Sequence, residues 1–126
     1  MHTIVLMYHD IFRDSPAESG FQNSTAFKYK IRSKDFDNQV AAIDEYLRNN
    51  KLPAETIDFT FDDGGVSFLT LAAPILEKYG FRGKFYISTG YIGAKGFLDA
   101  NQIKELHSRG HIVGRQSHSN PERMSR

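Results

Sequence analysis

Residues able to do chemistry concentrate at Thr60-Phe61-Asp62-Asp63-Gly64, an apolar, strand-like run that ends in adjacent carboxylates and a glycine. Buried strands rarely finish in paired acids. Two carboxylates this close resist ionising together unless a cation or hydrogen-bond donors separate their roles. At the carboxyl end of a strand and just ahead of a helix, such a pair stands where α/β folds place their reactive groups. The same string also suits a helix cap and a turn, because Asp and Gly are favoured there. Taken alone, the five residues leave both readings open.

The elements that must hold this pair follow from apolar periodicity. Thr3 to Tyr8 reads as a short strand buried on both faces. Ile11 to Lys30 mixes Gly, Ser, Asn and Pro with scattered aromatics and reads as a long, exposed, irregular connection. A helix opens at Ser33 as N-cap, with Phe36, Val40, Ile43 and Leu47 at helical spacing, and stops at Asn49, Asn50 and Pro53. Thr56 to Phe61 is the second strand, and Ser67 to Tyr79 a second helix ending at Gly80. A third strand spans Lys84 to Ser88, followed by a loop with Gly90, Gly93 and Gly96. Asp99 caps a short helix through Leu106, Gly110 closes it, and Ile112 and Val113 begin a fourth strand. Strands alternating with helices imply right-handed crossovers and an α/β fold with a parallel sheet of about four strands.

Composition narrows the function classes. A chain of 126 residues has room for one domain and one core. Sixteen basic against fifteen acidic residues leave a net charge of +1, which carries no sign of a nucleic-acid partner. Cysteine is absent, so thiolate nucleophiles, disulfides and cysteine metal sites are all excluded. No apolar run approaches the ~20 residues of a membrane span. Met1 to Met7 lacks a basic leader and a small-residue cleavage site, so it reads as strand. A cytoplasmic location is the default expectation, with an exported form left open.

With its elements in this order, the chain resembles the polysaccharide deacetylases, metal-dependent hydrolases that remove acetyl groups from sugar polymers. Thr60-Phe61-Asp62-Asp63-Gly64 and the following strand Phe85-Tyr86-Ile87 carry the resemblance. Gly110-His111-Ile112-Val113-Gly114, with Ser117, Ser119 and Pro121, matches the approach to the family's second motif, and Tyr8-His9-Asp10 matches a common opening. The resemblance spans nearly the whole chain but only about the first half of a family catalytic domain. It implies one domain over residues 1–126, folded as a partial (β/α) barrel.

Carried over residue by residue, the resemblance makes Asp62 the general base and Asp63 a metal ligand. The family's other two ligands are histidines four residues apart, and their positions here hold Gln116 and Asn120. Imidazole nitrogens suit zinc-like ions, whereas carboxamide oxygens are weaker, neutral donors. His118 lies between them and would join Asp63 if this segment is extended, but would point away if it is helical. The family also needs a later acid and an arginine that orients the base. The expectation is therefore a weakly bound or absent divalent metal and impaired hydrolysis. An acetylated carbohydrate is the implied substrate. The alternatives are a non-catalytic carbohydrate-binding module and a half-barrel that works only as an oligomer.

Lesser features receive structural readings. His9 is more a scaffold histidine than a site residue, and His107 and His111 read as exposed groups at a helix end. Tyr29, Tyr86 and Tyr91 read as packing residues, with sugar stacking the alternative. The Lys28-Lys30-Arg32-Lys34 alternation reads as a solvated edge. Four strands cannot close a barrel, so one apolar face should stay uncovered, lined by Phe59, Phe61, Phe85 and Ile87. A homo-oligomer follows from that face.

Overall fold

The computed structural model describes residues 3–116, and of Gln116 the backbone alone. Among the described residues six strands form: β1 Ile4–Tyr8, β2 Asp10–Phe12, β3 Lys30–Arg32, β4 Ile57–Phe61, β5 Gly83–Ser88 and β6 Ile112–Gln116. Four α-helices accompany them: α1 Ser24–Phe27, α2 Ser33–Asn49, α3 Ala73–Lys78 and α4 Ala100–Ser108. A four-stranded parallel sheet runs in the order β1-β4-β5-β6, as the alternation of strands and helices requires.

Pairing register decides which side chains meet the helices. Leu6 lies opposite Phe59, and Tyr8, Phe61 and Phe85 align across three strands. Side chains alternate along each strand, so these rings share one face. Phe61 stacks on Phe85 at 4.8 Å between centroids and on Tyr8 at 5.2 Å, while Phe68 meets Phe85 at 5.0 Å. From α2, Phe36 closes the cluster edge-on to Tyr8 at 4.9 Å. Each such aromatic contact adds roughly 0.5–1.5 kcal/mol beyond burial. Helix α2 therefore packs as its spacing predicts, with Phe36, Val40 and Leu47 buried.

The uncovered face is the opposite one, which corrects the sequence expectation. Phe59, Phe61, Phe85 and Ile87 are all buried beneath the helices. Their neighbours one residue along, Val5 and Met7 on β1, Thr60 on β4, Lys84 and Tyr86 on β5 and Ile112 on β6, line the open side. Strand β1 is thus an edge strand, not one buried on both faces; Met7 is 61% exposed.

Three further expectations change. The supposed irregular connection from Ile11 to Lys30 begins inside β2, which is wholly buried and pairs in parallel with β3, Asp10 opposite Lys30. Ser33 is the first helical residue of α2 and not its cap, because β3 feeds the helix directly through extended Arg32. The helix expected over Ser67 to Tyr79 divides into a π-helical turn, Phe68–Ala72, and α3. Pro74 supplies the reason: it lacks the N–H that a continuous ladder needs, and the preceding turn widens. Helix α4 starts as read, with Asp99 Oδ1 accepting from the Gln102 N–H at 2.8 Å and Gln102 Oε1 accepting from the Asp99 N–H at 2.9 Å.

Candidate active-site turn at the end of β4

The β1–β4 ladder continues one residue past the strand, the Asp62 N–H donating to the Tyr8 carbonyl at 3.0 Å. Asp63 then turns the chain with φ +88°, a left-handed conformation costly for any residue except glycine. Gly64 follows at φ +82°. From there the backbone is stitched to the glycine loop. Gly64 accepts from the Leu98 N–H at 3.0 Å, and the Gly96 carbonyl accepts from Val66 at 2.9 Å and Gly20 at 2.8 Å. Both aspartates are half-buried, at the carboxyl end of the sheet.

Beneath this turn lies a polar anchor that sequence reasoning did not find. Asp10 Oδ1 accepts from the Ile11 N–H at 3.0 Å, from Ser19 Oγ at 3.0 Å and from Ser67 Oγ. Ser19 Oγ in turn accepts from the Ser67 N–H at 3.0 Å. Opposite the carboxylate, Lys30 Nζ stands 3.9 Å from Asp10 Oδ2 and donates to the carbonyls of Pro16, Ser19 and Phe21 at 2.6, 2.5 and 2.9 Å. The two side chains are only 5% and 2% exposed. Lys30 is therefore not on a solvated edge, although Lys28, Arg32 and Lys34 are exposed as read.

Glycines make room for the anchor. A Cβ on Gly65 would sit 2.6 Å from Asp10 Oδ2 and 2.5 Å from Ser19 Oγ, and one on Gly20 would collide with the same carboxylate. Burial pushes the Asp10 carboxyl up, against the pull of its hydroxyl donors and of Lys30. Burial likewise pulls Lys30 down, while the Asp10 and Asp63 carboxylates act in the opposite direction. Lys30 thus feels both acids. The Asp-Asp turn is tied through Gly65 and Ser67 to Asp10 on β2, and through Asp10 to Lys30 on β3.

Asp63 also lines a cavity of about 180 Å³ that includes His9, Tyr29 and Lys30. His9 thus shares a cavity with Asp63, and its ring lies 5.1 Å from that of Tyr29, tilted by 35°. A larger open groove of about 530 Å³ lies between α2 and α3. Its Asp37 is occupied by Lys78 Nζ at 2.5 Å and the Tyr79 hydroxyl at 2.6 Å, and neither acid of the β4 turn reaches it. The smaller cavity is the one beside the carboxylates.

Of the remaining sequence-derived site residues, Gln116 ends β6 opposite Ser88 on β5. The Ser88 hydroxyl is buried with no hydrogen-bond partner among the described residues. His118 and Asn120 lie outside the described residues. Among the described residues, no group of three or more His, Asp or Glu side chains could hold a metal ion. Of the positions that the sequence reading offered as metal ligands, Asp63 alone has a described side chain; the nearby Asp10 is committed to its hydroxyl donors and to Lys30. Among the described residues, the end of β4 therefore offers a metal the Asp62 and Asp63 carboxylates and no histidine cluster.

His111 is a further correction. It is buried, not exposed, and its Nδ1 accepts from the Gly83 N–H at 3.0 Å. That contact places the ring proton on Nε2, which lies 2.8 Å from Glu77 Oε2 and donates to it. Burial holds the His111 pKa below its ordinary value. His107 is exposed, as read.

Comparison with known proteins places these features in a family. The family model for polysaccharide deacetylase matches residues 49–126, more than half of the chain. No curated protein sequence matches. Among solved structures, the deacetylase PplD of Streptococcus pyogenes, in complex with acetate, is 28% identical with a TM-score of 0.66. It covers 94% of this chain and 56% of its own. A de-N-acetylase of Aggregatibacter actinomycetemcomitans is 20% identical with a TM-score of 0.64, over 92% of this chain and 54% of its own. IcaB from Ammonifex degensii is 23% identical with a TM-score of 0.59, over 93% and 56%. The latter two share the fold. The chain spans about half the length of these structures.

Proposed function

The chain belongs to the polysaccharide deacetylase family, and on that premise we propose that it engages an acetylated carbohydrate at the carboxyl ends of its strands, with the family's hydrolysis impaired. Asp62 takes the role of general base, the group that accepts a proton from the attacking water. Asp63 takes the role of the carboxylate that faces a divalent metal. The family reaction uses such an ion to polarise the acetyl carbonyl and acidify a water. In this chain the amides Gln116 and Asn120 stand at the other two ligand positions. The observation that carries the reading is the clamped Asp62-Asp63 turn, kept at a left-handed φ and opening onto a cavity. Backbone strain of this kind persists where the surroundings over-determine it, and it clusters at functional sites.

Elemental analysis of the purified chain and an acetate-release assay on an N-acetylglucosamine oligomer test the reading together. The expected result is substoichiometric zinc and no release above background. Gln116→His with Asn120→His should then bring zinc to near one per chain. Tight zinc in the unaltered chain, or its absence from the double variant, would overturn the ligand assignment.

A second reading is favoured by the open sheet face. We infer that two copies close one barrel. Strands β1 and β6 are the two edges of a wholly parallel sheet. A twofold axis running along the strands sets β6 of each copy beside β1 of the other, in parallel at both seams, and encloses Val5, Met7 and Ile112 from both copies. Light scattering should give twice the chain mass. A monodisperse monomer at micromolar concentration would refute it.

A further inference from the structure

The groove between α2 and α3 shares no lining residue with the cavity beside Asp63, and its charges do not cancel. Arg13, Lys34 and Lys78 line it, against a single acid, Asp37. That acid is spent within the fold, because Lys78 Nζ and the Tyr79 hydroxyl both donate to it. Those two hydrogen bonds, Lys78 first, hold the Asp37 carboxyl below its ordinary value, so it stays ionised and paired. Arg13 and Lys34 form no ion pair among the described residues. Asp14 and Glu18 line a neighbouring hollow, not this groove. Glu18 does feel Arg13, but its oxygens accept from the Arg13, Asp14 and Ser15 N–H groups at 2.8, 2.7 and 2.9 Å.

Two cations thus face the groove unmatched. A carboxylate or a sulfate ester brings one negative charge and leaves one cation over. A phosphomonoester brings close to two at neutral pH, with three acceptor oxygens. Arg13 offers the N–H fork that phosphate oxygens accept from, and Lys34 a point charge. The opposite wall is apolar, formed by Leu71, Pro74 and Ile75. At about 530 Å³ the space lies within the roughly 300–1,000 Å³ of small-molecule clefts, so it has room for more than the phosphoryl group. We propose that the α2–α3 groove binds an organic phosphomonoester, its phosphoryl group on Arg13 and Lys34 and its apolar body against Leu71, Pro74 and Ile75. The site stands independently of the carbohydrate reading.

Amide chemical shifts from heteronuclear NMR, followed while phenyl phosphate is added to the whole chain, test this. Saturable shifts should map to residues 33–38 and 70–79 and leave residues 62–64 unmoved. Arg13→Gln and Lys34→Gln should each weaken Kd about tenfold, equivalent to ~1.4 kcal/mol. Lys104→Gln removes the same charge from an exposed position of α4 outside the groove, and its Kd should stay within about twofold of the unaltered chain. Equal thermal midpoints for the three variants, all at exposed positions, would show that folding is intact. Phenyl sulfate has the ring with one charge, and inorganic phosphate has the charge without the ring; both should bind more weakly than phenyl phosphate. No saturable shift, shifts centred on Asp62 and Asp63, or equal Kd values for Arg13→Gln and Lys104→Gln would each overturn the site. Phenyl sulfate binding as tightly as phenyl phosphate would overturn the charge match, and inorganic phosphate doing so would overturn the apolar contact.

Discussion

Replacing Lys30 by Met should destabilise this protein more than any other single lysine substitution among the described residues. The Lys30 side chain is 2% exposed and its ammonium donates to three backbone carbonyls, and the Asp10 side chain opposite it is 5% exposed. Met fills similar volume but leaves Asp10 as a buried charge without its cation and removes the donor from all three carbonyls. Breaking a buried pair from one side costs about 3–5 kcal/mol. A domain of this size has roughly 5–15 kcal/mol in total. At about 3–5 °C per kcal/mol for this length, the midpoint should fall by roughly 10–25 °C. Urea titration with a shared slope supplies the free-energy difference. Asp10→Asn added to Lys30→Met removes the stranded charge, so the double variant should recover at least about 1 kcal/mol over Lys30→Met alone. A loss below about 1 kcal/mol for Lys30→Met would be the behaviour of a surface lysine and would refute the anchor.

The remaining predictions concern pH, strain and packing. An unfolded histidine protonates near 6.5, and buried His111 does so only at lower pH, so stability should fall as pH drops below about 6.5. Glu77, held below its ordinary value first by hydrogen bonds from Arg109, adds a second loss as pH falls below about 4.5. His111→Asn should flatten the urea midpoint between pH 6.5 and 5 while leaving the lower step, and a slope identical to that of the unaltered chain would count against the assignment. Asp63→Gly should relieve the left-handed φ and leave stability unchanged or raised by up to about 1 kcal/mol, as urea titration would read. Zinc affinity regained through Gln116→His with Asn120→His should be lost again on adding Asp63→Gly. Gly65→Ala should cost about 2 kcal/mol or more by thermal melting, because its methyl meets Asp10 and Ser19 at 2.5–2.8 Å; a neutral effect would mean that the anchor yields.

Local chemistry made much of this chain legible. Helix α2 follows from Phe36, Val40 and Leu47 at helical spacing, and α4 from its Asp99 cap, because caps and amphipathic stripes are properties of a few consecutive residues. The Asp62-Asp63-Gly64 turn and the family were readable for the same reason: a motif is a short string. The strand over Thr56 to Phe61 was legible as well, although not the face that its Phe59 and Phe61 cover.

Tertiary structure decided what joins across distance. Nothing near Lys30 reveals that Asp10, twenty positions earlier, stands opposite it, so a lysine in a run of alternating charges looked solvated until β2 paired with β3. His111 beside a helix-ending glycine looked exposed until Gly83 and Glu77 closed around it. Alternation shows that a strand has two faces, but only the packing of α2, α3 and α4 on one of them determines which is buried. The string of residues by itself determined the four strands of the main sheet, α2 and α4, the aspartate turn and the family; the fold alone decided which charges are buried together, because burial depends on partners that local sequence does not contain.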